Sequence, residues 1–175
     1  MSAPVSSILA HKFGGTSMAD AARIAHAARL LLAETGFTTQ VTVVSALKGT
    51  TDNLIRCAQL AAAQDSGWQS LLDQMLKRHR DASGDLLTVN RTEADIFFDA
   101  ESERLREVLH ALSLLKSLPE TAFEWIQGLG EVWSSRLLAE HFKVRGDAAV
   151  WCDAREVLRV RRRAPAWWTA TPQLS

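Results

Sequence analysis

The segment HKFGGTSMAD, residues 11–20, places a lysine directly before a phenylalanine and a pair of glycines at the end of a short apolar run. Small residues between a strand and a helix let backbone N–H groups point at an anion, and the helix dipole adds partial positive charge there. The P-loop and the dinucleotide fingerprint need the patterns G-x-x-x-x-G-K-[ST] and G-x-G-x-x-G, and neither occurs here. The order of Lys12, Gly14 and Gly15 therefore indicates a phosphate site of another kind.

The chemistry that this loop would suit is phosphoryl transfer. Lys12 would project from the end of a strand, while the N–H groups of the loop and of Thr16 and Ser17 would line the other side. Such a clamp would hold the oxygens of a transferring phosphoryl group from two directions. The plainer interpretation of these ten residues is a tight turn with a solvated lysine.

Two other stretches carry polar side chains where ligands collect in α/β proteins. VVSALKGTTD sets Ser45 and Thr51 after a strand, and the carboxyl ends of strands line the ligand crevice of open α/β sheets. GLGEVWSSRLLAE places Glu131 and Ser134 in an otherwise apolar helical region. Each stretch has a plain alternative as well, an ordinary polar loop for the first and a solvated helix face for the second.

The elements that must position these residues alternate between strands and helices. We predict a buried strand over 8–13 and then a helix that Ser17 caps together with Asp20. The uncharged run 40–46 is rich in β-branched residues and predicts a second strand, parallel to the first and covered on both faces. Helical periodicity follows over 51–64.

The remaining periodic sequence is mostly helical. The pattern over 68–116 predicts a helical insertion, Pro119 can open a further helix in its first turn, and the GLG segment interrupts that helix before it resumes through Ala139. A third strand is predicted over 148–153. The fold class is therefore α/β, with a mostly parallel sheet flanked by helices and a helical insertion. We assign residues 1–160 to one lobe.

Composition narrows the class of protein. Lys plus Arg and Asp plus Glu both total 20, so the formal net charge is zero and no basic excess points to nucleic acid. No apolar run approaches the ~20 residues of a membrane span, and the N-terminus lacks the features of a signal peptide. Cys57 and Cys152 form no metal-type or redox-type spacing. We therefore expect a cytoplasmic protein that binds neither nucleic acid nor a membrane.

Three motifs in this order, KFGGTS, VVSALKGTTDNLI and GLGEVWSSRLLAEHF, resemble those of the aspartokinases of the amino-acid kinase family. GEVWSSRLL followed by WCDAREVLRV is similar to aspartokinases fused to homoserine dehydrogenase or diaminopimelate decarboxylase. The resemblance implies the N-terminal lobe of an amino-acid-kinase fold. It also implies ATP-dependent phosphorylation of the side-chain carboxylate of L-aspartate, the first step towards lysine, threonine and methionine.

The resemblance further implies how the phosphate part of the site works. Lys12 matches the lysine that neutralises the transferring phosphoryl group, Gly14 and Gly15 match the backbone that faces the phosphates, and Ser17 matches the polar residue beside them. Mg²⁺ would accompany ATP, and no metal ligands are assigned to the chain itself. An aspartate carboxylate with a pKa of about 4 is ionised at neutral pH, so its attack on the γ-phosphate needs no general base.

The same resemblance implies an aspartate pocket. Ser45 and Thr51 match positions that line it, Glu131 matches the glutamate that pairs with the substrate amino group, and Ser134 belongs to the same motif. Asp52 stands where many relatives have asparagine, which changes the charge near the pocket and leaves Thr51 in place. A single carboxylate such as Glu131 can select for an ammonium group while cationic and N–H donors hold the two anions in line.

The segment RRRAPAWWTATPQLS, residues 161–175, has no periodicity and differs from what precedes it. Two interpretations stay open for it, a disordered tail and a foreign sequence joined by a frameshift. Family members continue with a GRGGSD-type motif and a nucleotide segment that the chain does not match. We therefore expect a truncated lobe whose ATP site is incomplete and which self-associates or pairs with a full-length subunit. The alternatives to an active aspartate kinase are a non-enzymatic fragment of this kind and another amino-acid kinase.

Overall fold

The computed structural model of the chain describes residues 7–89 and 92–158, so the predicted tail lies outside the described residues. The described elements alternate as predicted at first and then become helical. In chain order they are β1 (Ile8–Phe13), α1 (Ala21–Ala33), β2 (Thr39–Val44), α2 (Thr50–Ala62), α3 (Gly67–Leu86), α4 (Glu93–Leu115), α5 (Glu120–Gln127), α6 (Leu129–Val144) and α7 (Ala154–Val157).

The two strands form a parallel pair in which Ile8 lies opposite Thr39 and Phe13 opposite Val44. A parallel pair needs a crossover connection, and α1 supplies it. The long helices α3 and α4 form the predicted insertion between this βαβ unit and α6. The α/β class, with parallel strands flanked by helices and a helical insertion, is therefore confirmed.

One face of the strand pair is covered by helices and the other is exposed within the described residues. Side chains of α1, α3 and α6 pack with Val44 and with Leu47 in the loop after β2. On the opposite face Ile8, Val41 and Val43 are 66%, 48% and 58% exposed. The prediction that the second strand is covered on both faces is therefore wrong for this part of the chain, because the described helices pack against one side.

The start of α1 differs from its prediction. Asp20 is the N-cap, and its carboxylate accepts a hydrogen bond of 2.9 Å from the backbone N–H of Arg23. Ser17 instead donates its own N–H to the carbonyl oxygen of Gly14 at 2.9 Å, which closes a turn before the helix begins. The loop after β1 is therefore longer than predicted, and its small residues lie before the start of α1.

The predicted third strand over 148–153 is wrong, because this segment makes side-chain contacts with helices instead of pairing with β2. The indole Nε1–H of Trp151 donates to the Ser135 hydroxyl at 3.1 Å, and its ring meets Phe97 edge-on at 5.2 Å. The Arg136 guanidinium lies 4.9 Å above the same ring. Two predicted helix limits also differ from the structure. Pro119 is the N-cap of α5 rather than a first-turn residue, and α6 continues past Ala139.

His79 is a buried titratable side chain in the packing between α3, α4 and α6. It is 6% exposed, its ring stacks on Phe98 with centroids 4.2 Å apart, and it meets the edge of Trp133 at 5.7 Å. Burial lowers the pKa of His79 from its ordinary 6.5 to about 4, although the carboxylate of Asp95 favours the charged form. The folded protein therefore contains neutral His79 at neutral pH.

Stability is expected to fall as the pH is lowered from about 6.5 towards about 4. The unfolded chain takes up the His79 proton more readily than the folded protein does, so protonation favours unfolding across this range. The full pKa difference corresponds to roughly 3 kcal/mol of unfolding free energy.

Urea denaturation at several pH values measures the slope of the unfolding free energy against pH. His79→Phe should flatten it, because phenylalanine keeps the ring contacts without a titratable group, whereas the control His110→Gln changes an exposed histidine of α4. Equal slopes for wild type and His79→Phe would contradict the prediction.

Candidate active site

The loops that follow β1 and β2 meet at the carboxyl ends of the two strands. The backbone N–H of Ser45 donates to the carbonyl oxygen of Phe13 at 2.9 Å, which extends the pairing of the strands by one residue. A Cβ at Gly15 would lie 3.7 Å from the carbonyl oxygen of Ala46 and 3.9 Å from the Ser45 hydroxyl oxygen. The structure therefore brings two of the predicted stretches into contact.

The loop after β1 keeps backbone donors available. Its turn is closed by the Ser17 N–H, and the Arg23 guanidinium holds the Thr16 carbonyl oxygen at 3.0 Å. Among the described residues, the N–H groups of Gly15 and Thr16 have no acceptor. Because glycine has no side chain to block the approach, an anion can reach these donors closely.

Lys12 lies beside this loop with an exposed side chain. Its Nζ is 3.5 Å from the place that a Cβ on Gly14 would occupy, so the ammonium group folds back over the loop. Lys12 forms no ion pair or hydrogen bond with any described side chain. A lysine that has no carboxylate partner next to free N–H groups is suited to binding an anion.

The first turn of α6 lies against the loop after β2 through Gly130. A Cβ on Gly130 would stand 2.6 Å from the Ala46 Cβ and 3.1 Å from the Thr50 Cγ2, and real Cβ atoms essentially never show contacts under 3.0 Å. A glycine is therefore required for this approach as it stands. The sequence marked Gly130 as a helix interruption, but nothing in the local pattern showed that it packs against residues far earlier in the chain.

Ser134 reinforces the same contact. Its side chain is fully buried, and its hydroxyl donates to the carbonyl oxygen of Ser45 at 2.7 Å, with the Glu131 carbonyl oxygen a second acceptor at 3.2 Å. The single hydroxyl proton of Ser134 is therefore used inside the protein. This geometry gives Ser134 the task of joining α6 to the end of β2.

Thr51 and Glu131 occupy comparable places at the starts of α2 and α6. Gly49 precedes α2 in the left-handed conformation with φ 79°, and Thr51 follows in the first turn with a partly exposed side chain. Glu131 lies in the first turn of α6, also partly exposed, and its carboxylate has no cationic partner among the described residues. Helix N-termini favour anions, while an unpaired carboxylate at the same place favours a cation.

A large groove lies elsewhere in the molecule, between β2, α6 and the segment 147–152. It has a volume of about 720 Å³ and is lined mostly by small and apolar side chains, and none of the candidate residues borders it. No lysine or arginine borders this groove, so its lining offers a phosphate no cationic side chain. The candidate site therefore lies at the strand ends, where the loops after β1 and β2 meet the first turn of α6.

Two further observations on the described residues concern membrane-spanning helices and metal ligands. Within residues 7–89 and 92–158, no helix combines the length and apolar character needed to cross a bilayer. In the same ranges, no three histidine, cysteine, aspartate or glutamate side chains converge as metal ligands. The donors near Lys12 instead suit the phosphates of a nucleotide, which can carry their own divalent cation.

Comparison with known proteins agrees with this arrangement. Residues 7–170 match the model of the amino acid kinase family. Bifunctional aspartokinase/homoserine dehydrogenase 2 of Escherichia coli is 33% identical over 156 residues, which are 88% of this chain and 18% of that protein. The chloroplastic enzyme of the same name from Zea mays is 31% identical over 153 residues, 86% of this chain and 16% of that protein. The chain thus spans less than a fifth of the length of these relatives.

Solved structures show the same fold. E. coli aspartokinase III in complex with aspartate and ADP superimposes with a TM-score of 0.73 at 24% identity, over 90% of this chain and 33% of that one. Its complex with lysine and aspartate gives a TM-score of 0.70 at 25% identity. The expected resemblance to aspartokinases, including those fused to homoserine dehydrogenase, is confirmed. Since the family match covers nearly the whole sequence, the chain belongs to the amino acid kinase family.

Proposed function

We propose that the chain forms the N-terminal part of an aspartate kinase, which transfers the γ-phosphoryl group of ATP to the side-chain carboxylate of L-aspartate. The product, aspartyl phosphate, opens the route to lysine, threonine and methionine. The observation that carries the proposal is the meeting of the loops after β1 and β2 with the first turn of α6, where Gly130 and Ser134 hold α6 against the residues after β2. Aspartate and ADP are bound by the structurally similar E. coli aspartokinase III.

The phosphate half of the proposed site is the loop after β1. Lys12 would neutralise charge on the transferring phosphoryl group, and the backbone of Gly14 and Gly15 would face the phosphates, with Ser17 and Thr16 beside them. Mg²⁺ bound to ATP supplies further positive charge on the phosphate oxygens. Phosphoryl transfer depends mainly on positioning and charge, so a lysine and free N–H groups are the parts that this half needs.

The aspartate half is formed by the residues after β2 and the start of α6. Ser45 and Thr51 would line the pocket, and Glu131 would pair with the α-ammonium group of the substrate. The Ser45 hydroxyl lies 3.9 Å from the Cβ position of Gly15, so the two halves adjoin at this residue. Adjacent halves would hold the attacking carboxylate near the phosphoryl group, and this proximity would add to the charge stabilisation that Lys12 supplies.

A trapping assay tests the proposal. The chain is incubated with ATP, Mg²⁺, L-aspartate and hydroxylamine, which converts an acyl phosphate into a coloured hydroxamate. A signal that requires both ATP and L-aspartate, and that L-glutamate does not restore, would support an active aspartate kinase. A signal with glutamate instead would support another amino-acid kinase. If no hydroxamate forms while calorimetry still detects L-aspartate binding, the chain is a non-enzymatic binding lobe, and if neither is seen the proposal is wrong.

We also propose that the chain self-associates, or pairs with a full-length subunit, through the exposed face of the strand pair. Its outward side chains include Ile8, Val41 and Val43, and an apolar sheet face next to an unpaired edge favours association. Sedimentation of the wild type should show a mass that rises with concentration, and Val43→Lys should weaken this rise. The matched control Leu114→Lys alters an apolar side chain of α4 that is 67% exposed. A wild-type monomer at every concentration would contradict the proposal.

A further inference from the structure

Arg78 extends from the helical insertion to the loop that follows β2. One guanidinium nitrogen, Nη2, donates to the carbonyl oxygen of Lys48, a residue 30 positions earlier in the chain. The other, Nη1, lies 3.9 Å from the place that a Cβ on Gly49 would occupy. Arg78 thus contacts the peptide that links Lys48 to Gly49, directly before α2.

The position of Arg78 is set by its neighbour along α3. His79 is buried and stacks on Phe98 of α4, which fixes the rotation of α3 at this point. Arg78 is exposed, and it therefore leaves α3 on the side that faces the loop. A hydrogen bond from a charged donor to a carbonyl oxygen is stronger than a neutral one.

Ala46 and Thr50, on either side of the Lys48–Gly49 peptide, pack against Gly130 of α6, whereas the peptide itself is contacted by Arg78. Gly49 caps α2 in the left-handed conformation, and no side chain caps the helix there. A hydrogen bond of 2.9 Å from the Thr50 N–H to the Leu47 carbonyl oxygen closes the turn on its inner side. The outward carbonyl of Lys48 is satisfied by Arg78, so this one side chain restrains the peptide from which α2 begins.

The charge of Arg78 is not explained by the stability of α2. A cation near the N-terminus of a helix is repelled by the helix dipole, so this placement disfavours the helix slightly. The same positive charge favours an anion that binds at the loop. A guanidinium at this place is therefore better suited to a ligand-binding loop than to a purely structural turn.

We propose that Arg78 is a positioning residue of the aspartate pocket, acting through the Lys48 carbonyl to order the first turn of α2 and with it Thr51. This inference rests on the proposed function. It assigns the helical insertion a part in the site, because α3 presents Arg78 to a loop that belongs to the βαβ unit. Nothing in the local sequence around Arg78 predicts this contact.

The test uses three variants of the full chain. Arg78→Gln removes the charge, Arg78→Lys keeps it, and Lys77→Gln is the matched control, since Lys77 pairs with Asp81 on the exposed side of the same helix. Calorimetry measures the affinity for L-aspartate and for MgADP, and hydrogen exchange measures the protection of the amides of residues 49–53. Thermal melts check that each variant is folded.

We expect Arg78→Gln to weaken L-aspartate binding about tenfold, as loss of a charge-assisted hydrogen bond implies, and to leave MgADP affinity within about twofold. Exchange at residues 49–53 should speed up by a similar factor. Arg78→Lys should recover part of both losses, and Lys77→Gln should match the wild type. A selective loss of aspartate affinity is not expected from a merely structural residue, which would change both ligands or neither.

Three other results would contradict the inference, and one of them would contradict the proposed function as well. If the wild type binds L-aspartate and Arg78→Gln binds it equally well, the inference is wrong while the proposed function stands. Faster exchange with unchanged aspartate affinity would make Arg78 a structural residue and also overturn the inference. If the wild type itself binds neither ligand, the proposed function is wrong, and the positioning role falls with it.

Discussion

Replacing Lys12 with methionine is expected to lower hydroxamate formation from L-aspartate about 100- to 1,000-fold, as removal of one preorganised donor from a charged transition state does. Methionine keeps most of the alkyl chain and removes the ammonium group. Lys12 is exposed and has no partner among the described side chains, so its loss should leave the unfolding free energy within about 0.5 kcal/mol of the wild type. A large loss of hydroxamate formation without a loss of unfolding free energy would show that Lys12 acts in the reaction and not in folding.

Lys12→Arg tests whether a positive charge at this position is sufficient for activity. Lys12→Arg keeps the charge but replaces a compact ammonium with a planar fork, so we expect partial activity. Lys77→Met is the control, because it removes another exposed lysine, on the surface of α3. The Michaelis constant for L-aspartate should change less than about threefold, since Lys12 is proposed to act on the phosphoryl group and not on the amino acid. Wild-type activity in Lys12→Met would support the turn-only interpretation of the loop.

The elements nearest to the proposed chemistry were predictable because their signals are local. The limits of β1 coincide with the prediction, since an apolar run that ends at two glycines specifies both the strand and its end. The second strand begins one residue before its predicted start, at Thr39, and ends two residues early, at Val44. Parallel pairing followed from the strand, helix, strand order, and it brings the two polar loops to one edge of the sheet.

The features that were missed depend on contacts that residue types and spacing do not specify. Ser17 and Asp20 are both good helix caps, and the choice of Asp20 depends on the turn that Ser17 makes with Gly14. The segment 148–153 has strand-like composition, yet Trp151 is held by Ser135 on α6. Strand propensity is easily overridden by such packing. The approach of Gly130 to Ala46 likewise has no signal within either segment.

Gly130→Ala is expected to destabilise the protein by about 2 kcal/mol, the reverse of the usual effect of this substitution inside a helix. Alanine has the better helix propensity, worth about 1 kcal/mol. Against this, the new Cβ would lie 2.6 Å from the Ala46 Cβ and 3.1 Å from the Thr50 Cγ2. A Cβ is attached directly to the backbone and cannot rotate away, so α6 or the loop must move, at a cost of about 3 kcal/mol.

Gly84→Ala is the matched control. Gly84 lies in α3, is exposed, and has no heavy atom within 4 Å of the place that a Cβ would occupy. The same substitution should therefore stabilise the protein by about 1 kcal/mol, because only helix propensity changes. Urea denaturation of both variants should give changes of opposite sign. Stabilisation by Gly130→Ala would show that the contact with Ala46 is loose in solution.

The contact at Gly130 also bears on the proposed site. Ser134 lies one turn further along α6 and donates to Ser45 at 2.7 Å, and Glu131 directly follows the glycine. Movement of α6 away from the loop would stretch this hydrogen bond and move the Glu131 carboxylate away from the proposed pocket. Gly130→Ala is therefore expected to weaken L-aspartate binding as well as folding.

Ala46→Gly tests where the effect originates, because it removes the atom that the new Cβ would meet. In the double variant we expect part of the lost stability and aspartate affinity to return, so the two substitutions should couple by about 1 kcal/mol or more in a double-mutant cycle. Thr50 still opposes full recovery, since its Cγ2 remains close to the added Cβ. Additive effects of the two substitutions would contradict the contact as the cause and leave local strain in α6 to account for the change.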